Sequence, residues 1–374
     1  MQSKILFIMH VPPPVHGASM VGKYIHESSI INNEFETDYI NLSTSVSLKE
    51  GGKAGVGKLI KLLKIQSSII SALFKKNYDL CYVTLTASGP GFYKDLVVVS
   101  LLKLFGKKII YHFHNKGVDS VNNSGINNFL YRFAFNNTFS ILISKYLYSD
   151  VINYAVRPNV FYCAYGIPES RFVINEHIAA NDDKAPCRLL FLSNMMAQKG
   201  VYVLLEACKI LKEKAVPFEC HFVGGWSDVT PEDFQATVTS YGLGDSVFGH
   251  GPKYDQEKLK FFDDSDIFVF PTFYHYETFG LVNLEAMQHH LPVISCPEGG
   301  IPDIVVEGET GFLVPQKNPE ALAEKIKVLV EDPKLRERMG VAGKKRFEEL
   351  FRLETFENNM KDILRTAISA TPAI

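Results

Sequence analysis

Between Pro271 and Val314 the chain reads PTFYHYETFGLVNLEAMQHHLPVISCPEGGIPDIVVEGETGFLV, with seven residues separating Glu277 from Glu285. Phe279-Gly280-Leu281 opens a helix that Pro292 requires to have ended. A helix starting near Gly280 presents unpaired N–H groups and a positive dipole end, which together suit a diphosphate. Glu277 then lies just before this terminus and Glu285 well inside the helix, at most about 12 Å away at 1.5 Å per residue. Carboxylates accept hydrogen bonds from vicinal hydroxyls, so one Glu can hold a sugar ring and the other a ribose, the two ends of a nucleotide sugar. Taken alone, the pair is more simply read as a capping Glu and a solvated helix Glu.

Short apolar runs that read as buried strands supply the frame for these residues. They fall at Lys4 to Val11, Leu80 to Leu85, Lys108 to Phe113, Phe139 to Ile143 and Val160 to Tyr165, with helical patterns such as Lys58 to Phe74 and Lys94 to Phe105 between them. A second series follows the polar stretch Glu176 to Pro186, at Arg188 to Ser193, Phe218 to Val223, Ile267 to Pro271 and Pro292 to Cys296. Alternation of this kind predicts an α/β chain of two doubly wound, Rossmann-like domains facing a central cleft, with ligands at the carboxyl ends of the strands. The expected divisions are 1–175, a linker 176–187, 188–350, and a C-terminal helix 351–374 that crosses back to the first domain. Asn318-Pro319 and Asp332-Pro333 each place a capping residue before Pro at a helix start.

The 374 residues, 46% hydrophobic and 21% charged with a mean hydropathy of +0.02, are those of a soluble globular chain and exclude disorder. No apolar run approaches the roughly 20 residues of a membrane span, and Ile5 to Met9 is too short for a signal peptide. The six cysteines show neither Cys-x-x-Cys spacing nor pairing with His, which fits a reducing cytoplasm. A net charge of -2 argues against a nucleic-acid partner. The charge is uneven: residues 1–170 carry 17 Lys and Arg against 10 Asp and Glu, and the remainder 22 against 31.

The 44-residue segment from Pro271 resembles the signature of retaining, two-domain (GT-B) glycosyltransferases of family 4, the glycosyl transferases group 1. The resemblance implies that Glu277 contacts donor-sugar hydroxyls, that Glu285 contacts the ribose, and that the amides of Phe279, Gly280 and Leu281 meet sugar and diphosphate. Further segments match in order. Gly17, ending PPPVHG, matches the glycine loop at the phosphates, and His114, in YHFHNKG, the active-site histidine at the donor sugar. Lys199, in SNMMAQKG, matches the lysine that neutralises the departing diphosphate, whereas Asn194 stands where many members carry arginine. Gly224 and Gly251 fall where the family places the nucleotide base.

The implied activity is metal-independent, retaining transfer of a sugar from a nucleoside diphosphate to a hydroxyl acceptor in polysaccharide or lipid-linked glycan synthesis. The nucleotide sugar is a co-substrate and no cofactor is expected. No Asp-x-Asp stands beside a strand end, and no His or carboxylate cluster has ligand spacing. A noncatalytic relative, to which Asn194 points, and a nucleotide-sugar epimerase of the same architecture are the alternatives. A dehydrogenase is disfavoured because no Gly-x-Gly-x-x-Gly follows a strand.

Gly52 to Lys58 nearly spells a P-loop, but Leu59 replaces the required Ser or Thr and no apolar strand immediately precedes it. In the helix that follows, Leu59, Leu62, Leu63, Ile69, Ile70 and Leu73 are assigned to one face, and Lys61, Lys64 and three serines to the other. With the basic first half, Lys53, Lys58, Lys61 and Lys64 suggest reversible docking on an anionic cytoplasmic leaflet; a surface helix that merely solubilises its domain is the plainer reading.

Overall fold

Strand-length apolar runs separated by amphipathic helices pair in parallel, because each helix returns the chain to the same end of the sheet. In the computed structural model, which describes residues 2–14, 17–43, 56–121, 125–170 and 186–373, this produces two six-stranded parallel sheets. The first contains β1 (Lys4–Met9), β2 (Glu36–Asn41), β3 (Leu80–Thr84), β4 (Ile109–His112), β5 (Phe139–Leu142) and β6 (Val160–Tyr162), in the order β2-β1-β3-β4-β5-β6. The second contains β7 (Cys187–Leu192), β8 (Phe218–Val223), β9 (Val247–Gly249), β10 (Ile267–Phe270), β11 (Val293–Ser295) and β12 (Gly311–Leu313), in the order β12-β11-β10-β7-β8-β9. The fold is two Rossmann-like α/β domains.

The chain divides into two compact units, Met1–Gly166 with Leu353–Ile374, and Ile167–Arg352. Cys187, assigned to a linker by its sequence, is the first residue of β7 and buried; most of 176–187 lies outside the described residues. Apolar runs do not announce β2, β9 and β12, and all three are sheet edges, where strands are short or half-polar. The run at Val160 pairs only to Tyr162, and the first helix begins at Gly17.

In the first unit, the helix Leu353–Ser369 packs on Ser29–Glu34, where Arg365 meets Glu34 at 2.7 Å. Asn159 exchanges hydrogen bonds of 2.8 and 2.7 Å with the Ala373 backbone, tying down the chain end. Asn318 and Asp332 cap their helices, each accepting a backbone N–H at 2.9 Å. All six cysteines are free and buried.

Lys53 and Gly52 to Gly55 lie outside the described residues, and Lys58 belongs to the helix Val56–Lys75. Leu63, assigned to the apolar face of that helix, is exposed, while Ile69 and Leu73 enter the core.

Candidate active site

The second sheet reverses direction between β7 and β10: from β7 the chain steps outward to β8 and β9, then returns to β10 on the other side. Helices flanking such a switch point diverge, leaving a crevice at the carboxyl ends of the two strands. The loops leaving β7 and β10 meet there through backbone. The Phe273 N–H donates to the Gln198 carbonyl at 2.9 Å, and a Cβ on Gly200 (φ +93°) would lie 2.3 Å from the Pro271 carbonyl oxygen. Only glycine permits this approach.

The contact brings together two residues that are 78 positions apart in the sequence. Lys199 Nζ lies 2.6 Å from Glu277 Oε2, and both side chains are mostly covered, at 14% and 12% exposure. The other carboxylate oxygen, Oε1, accepts the Gly280 N–H at 3.1 Å. The rings of Tyr274 and Phe270 approach Lys199 Nζ, with centroids 4.5 and 5.6 Å away. The carboxylate is thus bound on both oxygens by groups of opposite charge or polarity.

Gly280 (φ +71°) is the N-cap of the helix Leu281–Gln288 and receives no side-chain cap. A Cβ here would lie 2.7 Å from Nδ2 of Asn283, a fully buried residue whose amide atoms have no hydrogen-bond partner. Phe279 turns its ring into the core, 6.1 Å from Phe351, leaving backbone as the part of 279–281 suited to a ligand. The loop after β11 closes on the other side, where the Gly300 N–H donates to the Thr278 carbonyl at 2.7 Å.

Glu285 pairs with Lys258 of the helix Asp255–Asp263 at 2.7 Å. Gly224 and Gly251, at the ends of β8 and β9, lie side by side, joined by a 3.0 Å bond from the Gly224 N–H to the Gly251 carbonyl. The single tryptophan, Trp226, stands against Gly249 and Gly251, with its Nε1 3.5 Å from where a Gly251 Cβ would be. Asn194 is exposed on the β7 loop, whose Met195 N–H donates to the Gly225 carbonyl at 2.8 Å. Sequence reasoning singled out neither Lys258, Tyr274 nor Trp226. A lone tryptophan two residues after Gly224 was the one local signal.

His114 and Gly17 belong to the first unit. His114 Nδ1 shares a hydrogen bond with the Tyr165 hydroxyl, and the two rings stack at 5.8 Å. Burial holds the Tyr165 phenol well above its ordinary pKa, so it remains protonated. Behind it, His112 Nδ1 lies 2.6 Å from the Tyr82 hydroxyl, and burial pushes the imidazole down to about 3, keeping it neutral. Gly17 has open space where a side chain would be, whereas Gly22 is the glycine on which backbone packs, its would-be Cβ 1.9 Å from the His10 carbonyl oxygen. Among the described residues no three His, Cys, Asp or Glu side chains gather as a metal-ligand set.

Residues 174–346, which lie within the second unit, match the family Glycosyl transferases group 1. The capsular polysaccharide biosynthesis glycosyltransferase CapM of Staphylococcus aureus is 31% identical over 182 residues, which are 47% of this chain and 45% of that protein. This chain therefore spans less than half the length of that curated relative. Among solved structures, sucrose-phosphate synthase of Thermosynechococcus elongatus superposes with a TM-score of 0.73 at 20% identity, covering 98% of this chain and 99% of the other. HepE of Anabaena, in complex with UDP and glucose, gives 0.70 at 17% identity over 98% and 100%. Both likenesses concern the fold, which is that of GT-B glycosyltransferases.

Proposed function

We propose that this chain is a retaining glycosyltransferase that moves a sugar from a nucleoside diphosphate to a hydroxyl of a glycan or lipid-linked glycan in polysaccharide biosynthesis. The observation that carries the reading is the Lys199–Glu277 pair beside the Gly280 helix terminus, at the switch point between β7 and β10. One carboxylate there can receive sugar hydroxyls while one ammonium and the helix amides receive a diphosphate. The bound UDP and glucose of HepE make UDP-glucose the first donor to test.

In the proposed step the acceptor oxygen bonds to the anomeric carbon as the bond from that carbon to the diphosphate oxygen breaks. Attack comes from the face the diphosphate leaves, so configuration is retained, and the acceptor proton passes to the leaving diphosphate. No protein nucleophile takes part. The main catalytic contribution is then stabilisation of the leaving charge by Lys199 and the amides of Phe279, Gly280 and Leu281, with Glu277 fixing the sugar. The family resemblance assigns His114 to the same sugar and Gly17 to the phosphates. Donor and acceptor incubated together, with product analysis, test the reading. A donor sugar altered without acceptor would identify an epimerase instead, and complete inertness towards a panel of donors a noncatalytic relative.

Glu285 is proposed to hold the ribose, with Gly224, Gly251 and Asn194 lining the nucleotide side. Trp226 is the only tryptophan, so its emission reports nucleotide binding there directly. Glu285→Ala should weaken UDP about tenfold or more in a fluorescence titration, since hydrogen bonds to a charged group contribute about 1.5–3 kcal/mol. Unchanged affinity would remove Glu285 from the site.

No cofactor is needed in this scheme, because Lys199 and helix amides supply the positive field a cation would otherwise provide. Turnover should therefore be the same, within about twofold, after exhaustive chelation. Activity lost to a chelator and restored by magnesium or manganese would overturn that part of the proposal.

A further inference from the structure

In the first unit, the helices Val56–Lys75, Gly89–Leu104 and Gly125–Phe135 connect β2 to β3, β3 to β4 and β4 to β5. All three connections step along the sheet in the same direction, so right-handed crossovers place the helices side by side on one face. Their contacts agree. The Tyr93 hydroxyl donates to Asn127 Oδ1 at 2.6 Å, joining the second helix to the third, and Phe74, on the first, meets Phe105, just past the second, at 5.2 Å.

The outer surface of this layer carries large apolar side chains where a solvated helix should be polar. Leu104 is 81% exposed, Phe74 77% and Ile126 76%, and Leu63, Val97 and Phe129 are exposed with them. These residues recur at helical spacing, 60–63–74 on the first helix, 93–97–104 on the second and 126–129–133 on the third, so each helix presents a stripe. Dispersed single exposed apolar residues need no explanation, but three neighbouring stripes on one layer do.

The charge on the layer is of one sign. Its only acidic residue is Asp95, fully buried beside Lys94. Lys61, Lys64, Lys75 and Arg132 are exposed. A second copy of this chain packed face to face would oppose lysines to lysines, since a two-fold contact uses the same patch on both sides. An anionic lipid surface answers both features: acyl chains accept the apolar tips and headgroups accept the ammonium groups.

We propose that this three-helix face is a membrane-docking surface that inserts Leu63, Phe74, Leu104 and Ile126 among the headgroups of an anionic bilayer. Lysines alone, as read from sequence, would give only salt-labile attraction; the apolar stripes add a component that salt does not screen. The proposal goes beyond the transferase reading and its test involves no sugar.

The experiment is flotation of the full chain with vesicles of phosphatidylglycerol and phosphatidylcholine, and with phosphatidylcholine alone. Wild type is compared with Lys61→Gln/Lys64→Gln/Lys75→Gln and with Phe74→Ser/Leu104→Ser/Ile126→Ser, folding being checked by circular dichroism. Wild type should float with the anionic vesicles. The lysine variant should bind on the order of a hundredfold more weakly, about fivefold per lysine, and the serine variant about tenfold or more weakly at low and at high salt. A wild type that ignores anionic vesicles, or a serine variant that floats like wild type, overturns the proposal. So does a wild type that sediments as a dimer through this face, with the serine variant monomeric and neither binding vesicles.

Discussion

Glu277→Ala is expected to lower kcat/KM for sugar transfer by at least about a thousandfold, on the order of 4 kcal/mol, in a chain that still folds. Its carboxylate faces the switch-point crevice and does two things in the free protein: it neutralises Lys199 at 2.6 Å and accepts the Gly280 N–H at 3.1 Å. In the proposed donor complex the ammonium moves to the diphosphate and Glu277 to the sugar hydroxyls, which would make the pair the resting arrangement of two ligand-binding groups. Alanine removes the sugar contact and leaves a mostly covered ammonium without its counter-ion, at a stability cost of about 1–3 kcal/mol, below that of a fully buried pair. Glu277→Gln separates the two effects. It keeps an acceptor for the Gly280 N–H and the shape of the side chain but loses the charge, and its turnover should fall about a hundredfold or more with little loss of thermal stability. Near-normal turnover by Glu277→Gln, with the donor that wild type uses, would show that the carboxylate is not what fixes the sugar.

The parts legible in the sequence are those whose physics is local. β10 and, after Lys4, β1 are uninterrupted apolar runs, because strands covered on both faces need no alternation. Glu277, Gly280 and Glu285 are legible because one helix start sets their spacing. Pairings across the fold are not. Nothing near Glu285 announces Lys258, and nothing near His114 announces Tyr165, since the sheet brings each pair together from separate crossovers. The misassignment of Leu63 has a geometric cause. At 100° per residue it lies about 120° around the helix from Ile69, outside the roughly 100° stripe that a helix packed on a sheet buries. Counting it as core concealed the exposed stripe to which it belongs.

Lys199→Ala should lower kcat about a hundred- to a thousandfold, the loss expected when one fixed positive group is withdrawn from a developing anion. It is the only charged residue between Ser193 and Gly200, since Asn194 supplies no second cation. Tyr274 and Phe270 flank its ammonium, so its position depends little on solvent-exposed rotamers. The division between kcat and KM decides its role. A group that stabilises the leaving diphosphate acts most in the transition state, and its removal lowers kcat and kcat/KM together. A group that merely attracts the donor binds ground and transition states alike, and its removal raises KM with kcat unchanged. The second pattern would overturn the leaving-group assignment while keeping Lys199 in the site. Asn194→Arg in the Lys199→Ala background provides the complementary measurement. An arginine at the exposed position on the same loop returns one positive charge to the strand end, and recovery of about tenfold in kcat is expected if charge at that end of the crevice is what the reaction lacks.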